Sequence, residues 1–294
     1  MPGWTLDQTS QDCFRCTWRD ISQGFEAHAL LTSDHHVDNA HCNHALLRNH
    51  LQTAVELDAP IFMFGDTFCA MQGKWDRRAD TDELIPELRG QNYLDKLVDY
   101  ATEFYRPYAS HIAIVSNGNH EDSIEKHHET DLTERLASNL RSIGGVTMRG
   151  RYMGFVAFSM TQCRGRTKKA NTFCRTLCYH HGSGGGGPVT RGMIDNNRTR
   201  TAYISDIFYS GHIHYNNTDK NEIVSMDRNG NMIRRLQRFL RGGAYKDDFK
   251  SRWQIKRGHA ARPMGGYWVR FRYRSVGGER VVDTAAIEAT WGKP

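Results

Sequence analysis

Between Phe25 and Ile143 short apolar runs alternate with longer amphipathic stretches, and this order constrains the chain more than any single motif does. Phe25 to Thr32, Ile61 to Phe64 and Ile112 to Val115 read as strands, because brief apolar runs bounded by polar breaks fit a buried strand. Between and after them, Cys42 to Leu57, Asn92 to Tyr105 and Thr130 to Ile143 carry apolar residues at helical spacing, as in Leu132, Leu136 and Leu140. Strand and helix in repetition predict a parallel sheet with crossover helices, since parallel neighbours need a long return connection that a helix supplies. Ligands of such sheets bind beyond the carboxyl ends of the strands.

The second half changes character. Tyr152 to Ser159, Thr172 to Tyr179 and Ile207 to Tyr209 read as strands. Glu222 to Met226 and Met232 to Leu236 flank Asn229-Gly230, the strongest short hairpin signal. Tyr267 to Tyr273 alternates apolar and basic residues, as a half-buried strand does. No linker and no internal repeat divides the chain. We therefore expect one domain over residues 1–294, with a β-rich, basic portion from about residue 221.

At 38% hydrophobic and 11% aromatic residues the chain can fill a core. No apolar run approaches the ~20 residues that cross a bilayer, and no basic-then-apolar leader is visible at the start. Seven cysteines spread over the chain suit free thiols in a reducing compartment, so a cytoplasmic protein without membrane contact is expected. Cys13 and Cys16 have metal-ligand spacing but no matching second pair, which favours buried thiols. The net charge is +6, and cations are interleaved with aromatics from Arg234 to Arg274. That mixture suits phosphates and stacked bases, although a solvated outer strand face is the commoner cause of such a run.

The apolar strands end on polar blocks: Asp34-His35-His36, Gly65-Asp66, Gly118-Asn119-His120-Glu121, His180-His181 and Gly211-His212-Ile213-His214. Each alone is weak, because Gly-Asp is a common turn and Asn-His-Glu can cap a helix. Many of the 15 histidines fall in these blocks, and imidazole is the commonest metal ligand.

In this joint order the blocks resemble the pattern of the calcineurin-like metallophosphoesterase superfamily: Asp-x-His, Gly-Asp, Gly-Asn-His-Asp/Glu, His and Gly-His-x-His. The match extends from residue 34 to residue 214. It departs after Gly65-Asp66, where many members carry a further Asp and this chain reads Thr67-Phe68-Cys69, so whatever that Asp supports must come from elsewhere. The long polar segment after Asp66 also resembles that of phage-encoded members. The resemblance implies an α/β fold, an αββα sandwich of two mixed β-sheets flanked by helices. It implies a dinuclear hydrolase of phosphoric esters using two divalent ions, Mn first and Fe, Zn or Mg as alternatives, with a bridging hydroxide as nucleophile.

By the same resemblance, Asp66 bridges the ions, Asp34, His36 and His214 complete one site, and Asn119, His180 and His212 complete the other. Either member of the pair His180 and His181 could be the ligand; members with paired histidines generally use the first. His120 is then the group that protonates the leaving oxygen or stabilises the transition state. The glycines after His181, including Gly184 and Gly185, could bring backbone N–H groups to a phosphate, or form a plain surface loop. Arg191 is a candidate phosphate clamp. The expected substrate is a phosphodiester of a nucleotide, DNA or RNA. Phosphomonoesters, including phosphoproteins, and a catalytically silent binding scaffold are the alternatives. The polar run Gly73 to Glu83, with Lys74, Trp75, Arg77 and Arg78, is expected at the rim of the catalytic edge, and Arg164 to Lys169 as a solvated loop.

Overall fold

Strand β4 (Ile61–Phe64) buries all its side chains and faces two cores at once. Ile61 and Met63 pack among helices, while Phe62 and Phe64 pack toward a second sheet. A strand buried on both faces has no polar alternation, which is why this segment reads as a continuous apolar run. The computed structural model describes residues 2–70, 72, 80–164, 168–185, 187, 189–250, 255–256, 261–276 and 279–289. The expected rim positions Lys74, Trp75, Arg77 and Arg78, and residues 165–167 of the basic loop, lie outside these.

A six-stranded sheet is built from β3 (Glu26–Thr32), β4, β5 (Ile112–Ser116), β6 (Met148–Gly150), β12 (Tyr267–Val276) and β13 (Glu279–Glu288), in the order β13-β12-β3-β4-β5-β6. The run β3-β4-β5-β6 is parallel, and its returns pass through α1 (His44–Glu56), α2 (Tyr93–Tyr105) and α4 (Leu132–Ser142). Local signals start these helices: Asn43 caps α1 by accepting from the Leu46 N–H at 3.0 Å, and Asp131 caps α4 by accepting from the Glu134 N–H at 2.9 Å. β12 closes the sheet antiparallel to β3, which makes it mixed.

The second sheet has seven strands, in the order β1-β2-β7-β8-β9-β11-β10. Its members are β1 (Trp4–Ser10), β2 (Cys13–Trp18), β7 (Met153–Arg164), β8 (Lys168–His180), β9 (Ile207–Ser210), β10 (Asn217–Met226) and β11 (Met232–Arg241). Its inner face supplies Phe158, Leu177, Tyr179 and Tyr209 to the core shared with Phe62 and Phe64. The Phe64 and Tyr179 rings stack at 4.3 Å. Each such buried aromatic removes enough apolar surface from water to contribute roughly 2–3 kcal/mol. On the outer face lies a smaller cluster around Cys178, Phe208 and Phe239, under α5 (Met193–Ala202). The architecture is therefore the expected αββα sandwich of two mixed sheets.

Several elements lacked a legible pattern. β1 buries only Trp4 and is otherwise polar or exposed, as an edge strand can be. α3 (Asn119–His128) buries only Glu121 and Ile124, and α5 only Asn196, so neither shows an apolar stripe. The hairpin at Asn229-Gly230 is longer than read, pairing Asn217 with Arg241 at its base. Among the described residues, no helix is long and apolar enough to cross a membrane.

Candidate metal centre

The polar blocks converge at the carboxyl ends of β3, β4, β5, β8 and β9. The chain must turn sharply there, and five non-glycine residues adopt left-handed backbone: Asp34 (φ 54°), His36 (φ 47°), Asp66 (φ 50°), His212 (φ 71°) and His214 (φ 55°). Such conformations cost on the order of 1–2 kcal/mol each and cluster where side chains are aimed for function. Two glycines exist to make room. A Cβ on Gly118 would stand 2.1 Å from Asp66 Oδ1, and one on Gly211 would stand 2.3 Å from Asp34 Oδ2.

Two groups of donors that include a carboxylate result, and a third, His36, Cys69 and His120, shares His36 with the first of them. The first joins Asp34, His36 and His214: His214 Nε2 lies 3.4 Å from Asp34 Oδ1 and 3.3 Å from His36 Nε2. The second joins Asp66, His181 and His212 around the Asn119 carbonyl: His181 Nε2 is 3.1 Å from Asp66 Oδ2 and 3.2 Å from Asn119 Oδ1, and His212 Nδ1 is 2.6 Å from the same amide oxygen. Asp34, His36, Asp66 and His181 are buried, and Asn119, His212 and His214 are half-buried.

The imidazole tautomers are set by acceptors behind the rings. His181 Nδ1 must donate to the Phe64 carbonyl at 3.0 Å, His214 Nδ1 to Asp248 Oδ2 at 2.8 Å, and His212 Nε2 to the Gly184 carbonyl at 3.0 Å. In the neutral ring the other nitrogen, the one facing the cluster, then carries a lone pair. Lone pairs of imidazole, carboxylate and amide oxygen aimed at one another repel unless a cation or a proton lies between them. Mixed oxygen and imidazole donors with the outer nitrogen anchored are the chemistry of a divalent-metal site, so the residues fit such ions.

With only protons to bind, the same groups pair with each other. Burial alone would depress His181, but the Asp66 and Asp34 carboxylates outweigh it and raise it to about 10. His214 behaves alike: burial opposes and Asp248 prevails, lifting it to about 10. Asp34 and Asp66 are held low, because the neighbouring imidazoles overcome the burial that would raise them. His36 is pushed down by burial, with His120 adding to it.

One ligand expectation needs correction. The structure puts His181, not His180, beside Asp66 and Asn119. Successive strand residues face opposite sides. Tyr179 points to the inter-sheet core, so His180 points to the outer face, where its Nδ1 accepts the Gly182 N–H at 3.0 Å; His181, just past the strand end, turns inward. The glycine segment lies beside the site. It meets the site through the Gly184 carbonyl on His212, while the Gly185 carbonyl accepts from Gly187 N at 2.9 Å. Arg191 lies 5.9 Å from the Tyr215 ring, and its carbonyl accepts from Asn217.

His120 opens α3 beside Asn119. Its Nδ1 donates to the Cys69 carbonyl at 2.5 Å and its Nε2 lies 3.8 Å from Asp66 Oδ2. Cys69 stands where the family pattern has its further Asp, so here a peptide carbonyl holds the ring. Two carboxylates without an assigned role hold this turn. Glu121 accepts from the N–H groups of Asp66, Phe68 and Gly118, and Asp38 from those of Cys69 and Ala70. Asp248, the carboxylate behind His214, also escaped the sequence reading, since nothing in its spacing ties it to the blocks.

No family model matches this chain, and no curated protein matches it. Among solved structures it is similar to Vacuolar Protein Sorting 29 from Cryptosporidium parvum (12% identity over 90% of this chain and 99% of that one, TM-score 0.33). It is also similar to Thermotoga maritima protein TM1076 (13%, 89% and 99%, TM-score 0.30). A third is a metallophosphoesterase from Sphaerobacter thermophilus (12%, 90% and 89%, TM-score 0.33). At these identities and scores the likenesses carry no functional inference, which rests on the residues of the site.

Proposed function

We propose that this chain is a calcineurin-like metallophosphoesterase that hydrolyses phosphoric esters at two divalent metal ions. The observation that carries the reading is the convergence of two donor groups, with the tautomers of His214 in one and His181 and His212 in the other fixed from behind, on residues that follow the superfamily's motif order. Asp34, His36 and His214 would hold one ion, and Asn119, His181 and His212 the other. By the motif order Asp66 would serve both: its carboxylate lies 3.1 Å from His181 of one group, and its carbonyl accepts from the N–H of His36 of the other at 3.1 Å. Divalent ions there supply Lewis acidity toward phosphoryl oxygens and make a water acidic enough to ionise near neutral pH.

The protein's part is positioning. The strained turns fix the donors before any ion arrives. With Nδ1–H engaged by the Cys69 carbonyl, His120 turns Nε2 toward Asp66, where the doubly protonated ring can give its Nε2 proton to the leaving oxygen and keep the one on Nδ1. For the finer substrate class we propose phosphodiesters of nucleotides. The basic C-terminal strands supply cations, but several already pair with carboxylates, Arg272 with Glu26 at 2.6 Å and Arg274 with Asp283 at 3.2 Å. That favours a small diester over a long polyanion.

The test is metal content together with a substrate panel of phosphomonoesters, cyclic nucleotides, DNA, RNA and bis-p-nitrophenyl phosphate in added Mn. Stoichiometric metal with diester hydrolysis is the expected result. Substoichiometric metal and no turnover on any ester would leave a binding scaffold in its place, and exclusive monoester turnover would make it a phosphatase.

A further inference from the structure

On the outer face of the seven-stranded sheet, beside the metal ligands, lies a cavity of about 210 Å³ roofed by α5. Strand register gives it two layers. Cys178 pairs with Phe208 and Phe208 with Phe239, which makes an apolar floor in which the two phenylalanine rings lie 4.6 Å apart and 3° from parallel. One alternation nearer the catalytic edge, Ser210 pairs with Arg241, and His180 follows Tyr179, which is registered with Tyr209. His180, Ser210 and Arg241 therefore form a polar row on the same face, all lining the cavity.

This row is rich in donors. His180 Nδ1 accepts the Gly182 N–H, so the proton of the neutral ring sits on Nε2, which has no hydrogen-bond partner among the described residues. Arg241 is 1% exposed and its Nε–H has no partner. Its other nitrogens donate to the carbonyls of Gly211 and Gly192 and to Asn196 Oδ1, and the nearest carboxylate oxygen, on Asp195, is 3.9 Å away. A buried guanidinium so lightly compensated seeks an acceptor.

A cavity of roughly 150 Å³ already takes a benzene ring. We propose that this cavity binds a planar heteroaromatic group of nucleobase size, its acceptor edge on the His180–Arg241 row and its face against Phe208 and Phe239. Building on the phosphoesterase reading, this group is the base of the nucleotide ester cleaved next door: Gly182 lines the cavity and follows the metal ligand His181, and Arg241 holds the carbonyl of Gly211, which precedes His212.

The test separates binding from turnover. Calorimetric titration of the full chain in EDTA with adenosine, guanosine, cytidine and uridine, with ribose as control, should show at least one nucleoside binding at least tenfold more tightly than ribose. Ala202→Trp, at an exposed position lining the cavity, and Ser210→Leu should each weaken that binding at least tenfold while retaining native circular dichroism. With Mn added, the preference for a nucleoside p-nitrophenyl phosphate over methyl p-nitrophenyl phosphate should fall at least tenfold in both variants. Absence of nucleoside binding above ribose, or binding unaffected by both substitutions, overturns the cavity assignment even if esters are hydrolysed. Nucleoside binding without hydrolysis of any ester keeps the cavity and removes the phosphoesterase reading.

Discussion

His214 Nδ1 and Asp248 Oδ2 lie 2.8 Å apart across 34 residues of sequence, and this one bond decides which nitrogen of His214 faces Asp34 and His36. Asp248 is 8% exposed and held down to about 2: burial opposes, but His214 outweighs it. Removing an outer partner of this kind typically costs 10–100-fold in metal affinity. Asp248→Ala should weaken binding of one ion by about that factor, read by competition with a chromophoric chelator, and Asp248→Asn should recover part of the loss because its amide oxygen still accepts.

The histidine pair separates by the side each ring faces. His181→Ala removes a donor at 3.1 Å from Asp66 and should abolish stoichiometric metal, whereas His180→Ala should keep it. Elemental analysis after dialysis against Mn decides between them. Loss of metal in the His180 variant alone would reinstate His180 as the ligand.

Metal binding should also be strongly pH-dependent. His181 and His214, one in each donor group, are both raised to about 10 in the metal-free protein, so each ion must displace a proton. Protons compete below that value, so apparent affinity should rise by about tenfold per pH unit for each proton displaced, between pH 7 and 9. For the metal-free fold the sign is the reverse: a histidine raised on folding stabilises fully below its unfolded value near ~6.5, and that contribution fades as pH climbs toward about 10. Urea midpoints in EDTA should therefore fall from pH 7 to pH 9, while proton release on adding Mn should be measurable in weak buffer.

His120 is the clearest candidate for chemistry without metal ligation. His120→Ala should lower kcat by about 10²–10⁴-fold on esters with poor leaving groups, with little change in metal content. The loss should shrink with p-nitrophenolate, which leaves without a proton. Equal activity toward an alkoxide-leaving ester would remove His120 from the mechanism.

How much of this could be read in advance depends on where the information lies. The parallel strands β4 and β5 announce themselves because burial on both faces makes them near-continuously apolar, and the blocks at Asp66 and Asn119 follow because each sits at such a strand's end. His180 and His181 could not be told apart, since the outcome hangs on where β8 ends, a one-residue matter. Asp248 and Asp38 were silent because their roles arise from tertiary approach, with no local periodicity. α5 was silent for a related reason: its inward face meets the cavity and buries little apolar surface.

The last test uses two glycines to separate space from conformation. Gly118 has φ −114°, which any residue adopts, so Gly118→Ala carries no backbone strain. Its Cβ would nevertheless meet Asp66 Oδ1 at 2.1 Å and the Asp66 nitrogen at 2.4 Å, the carboxylate wedged between the donor groups. Asp66 cannot withdraw, because its own N–H is tied to Glu121 at 3.1 Å and its Oδ1 accepts from the His120 N–H at 3.0 Å. Gly230 is the converse, with φ 82° and nothing within 4 Å of an added Cβ. Both alanine variants should lose stability, about 1–3 kcal/mol from overpacking at Gly118 and about 1–2 kcal/mol from left-handed strain at Gly230. Only Gly118→Ala should also lose metal and turnover. Urea titration and metal analysis on the same preparations make the comparison, and stoichiometric metal in Gly118→Ala would show that Asp66 is not held where the site requires it.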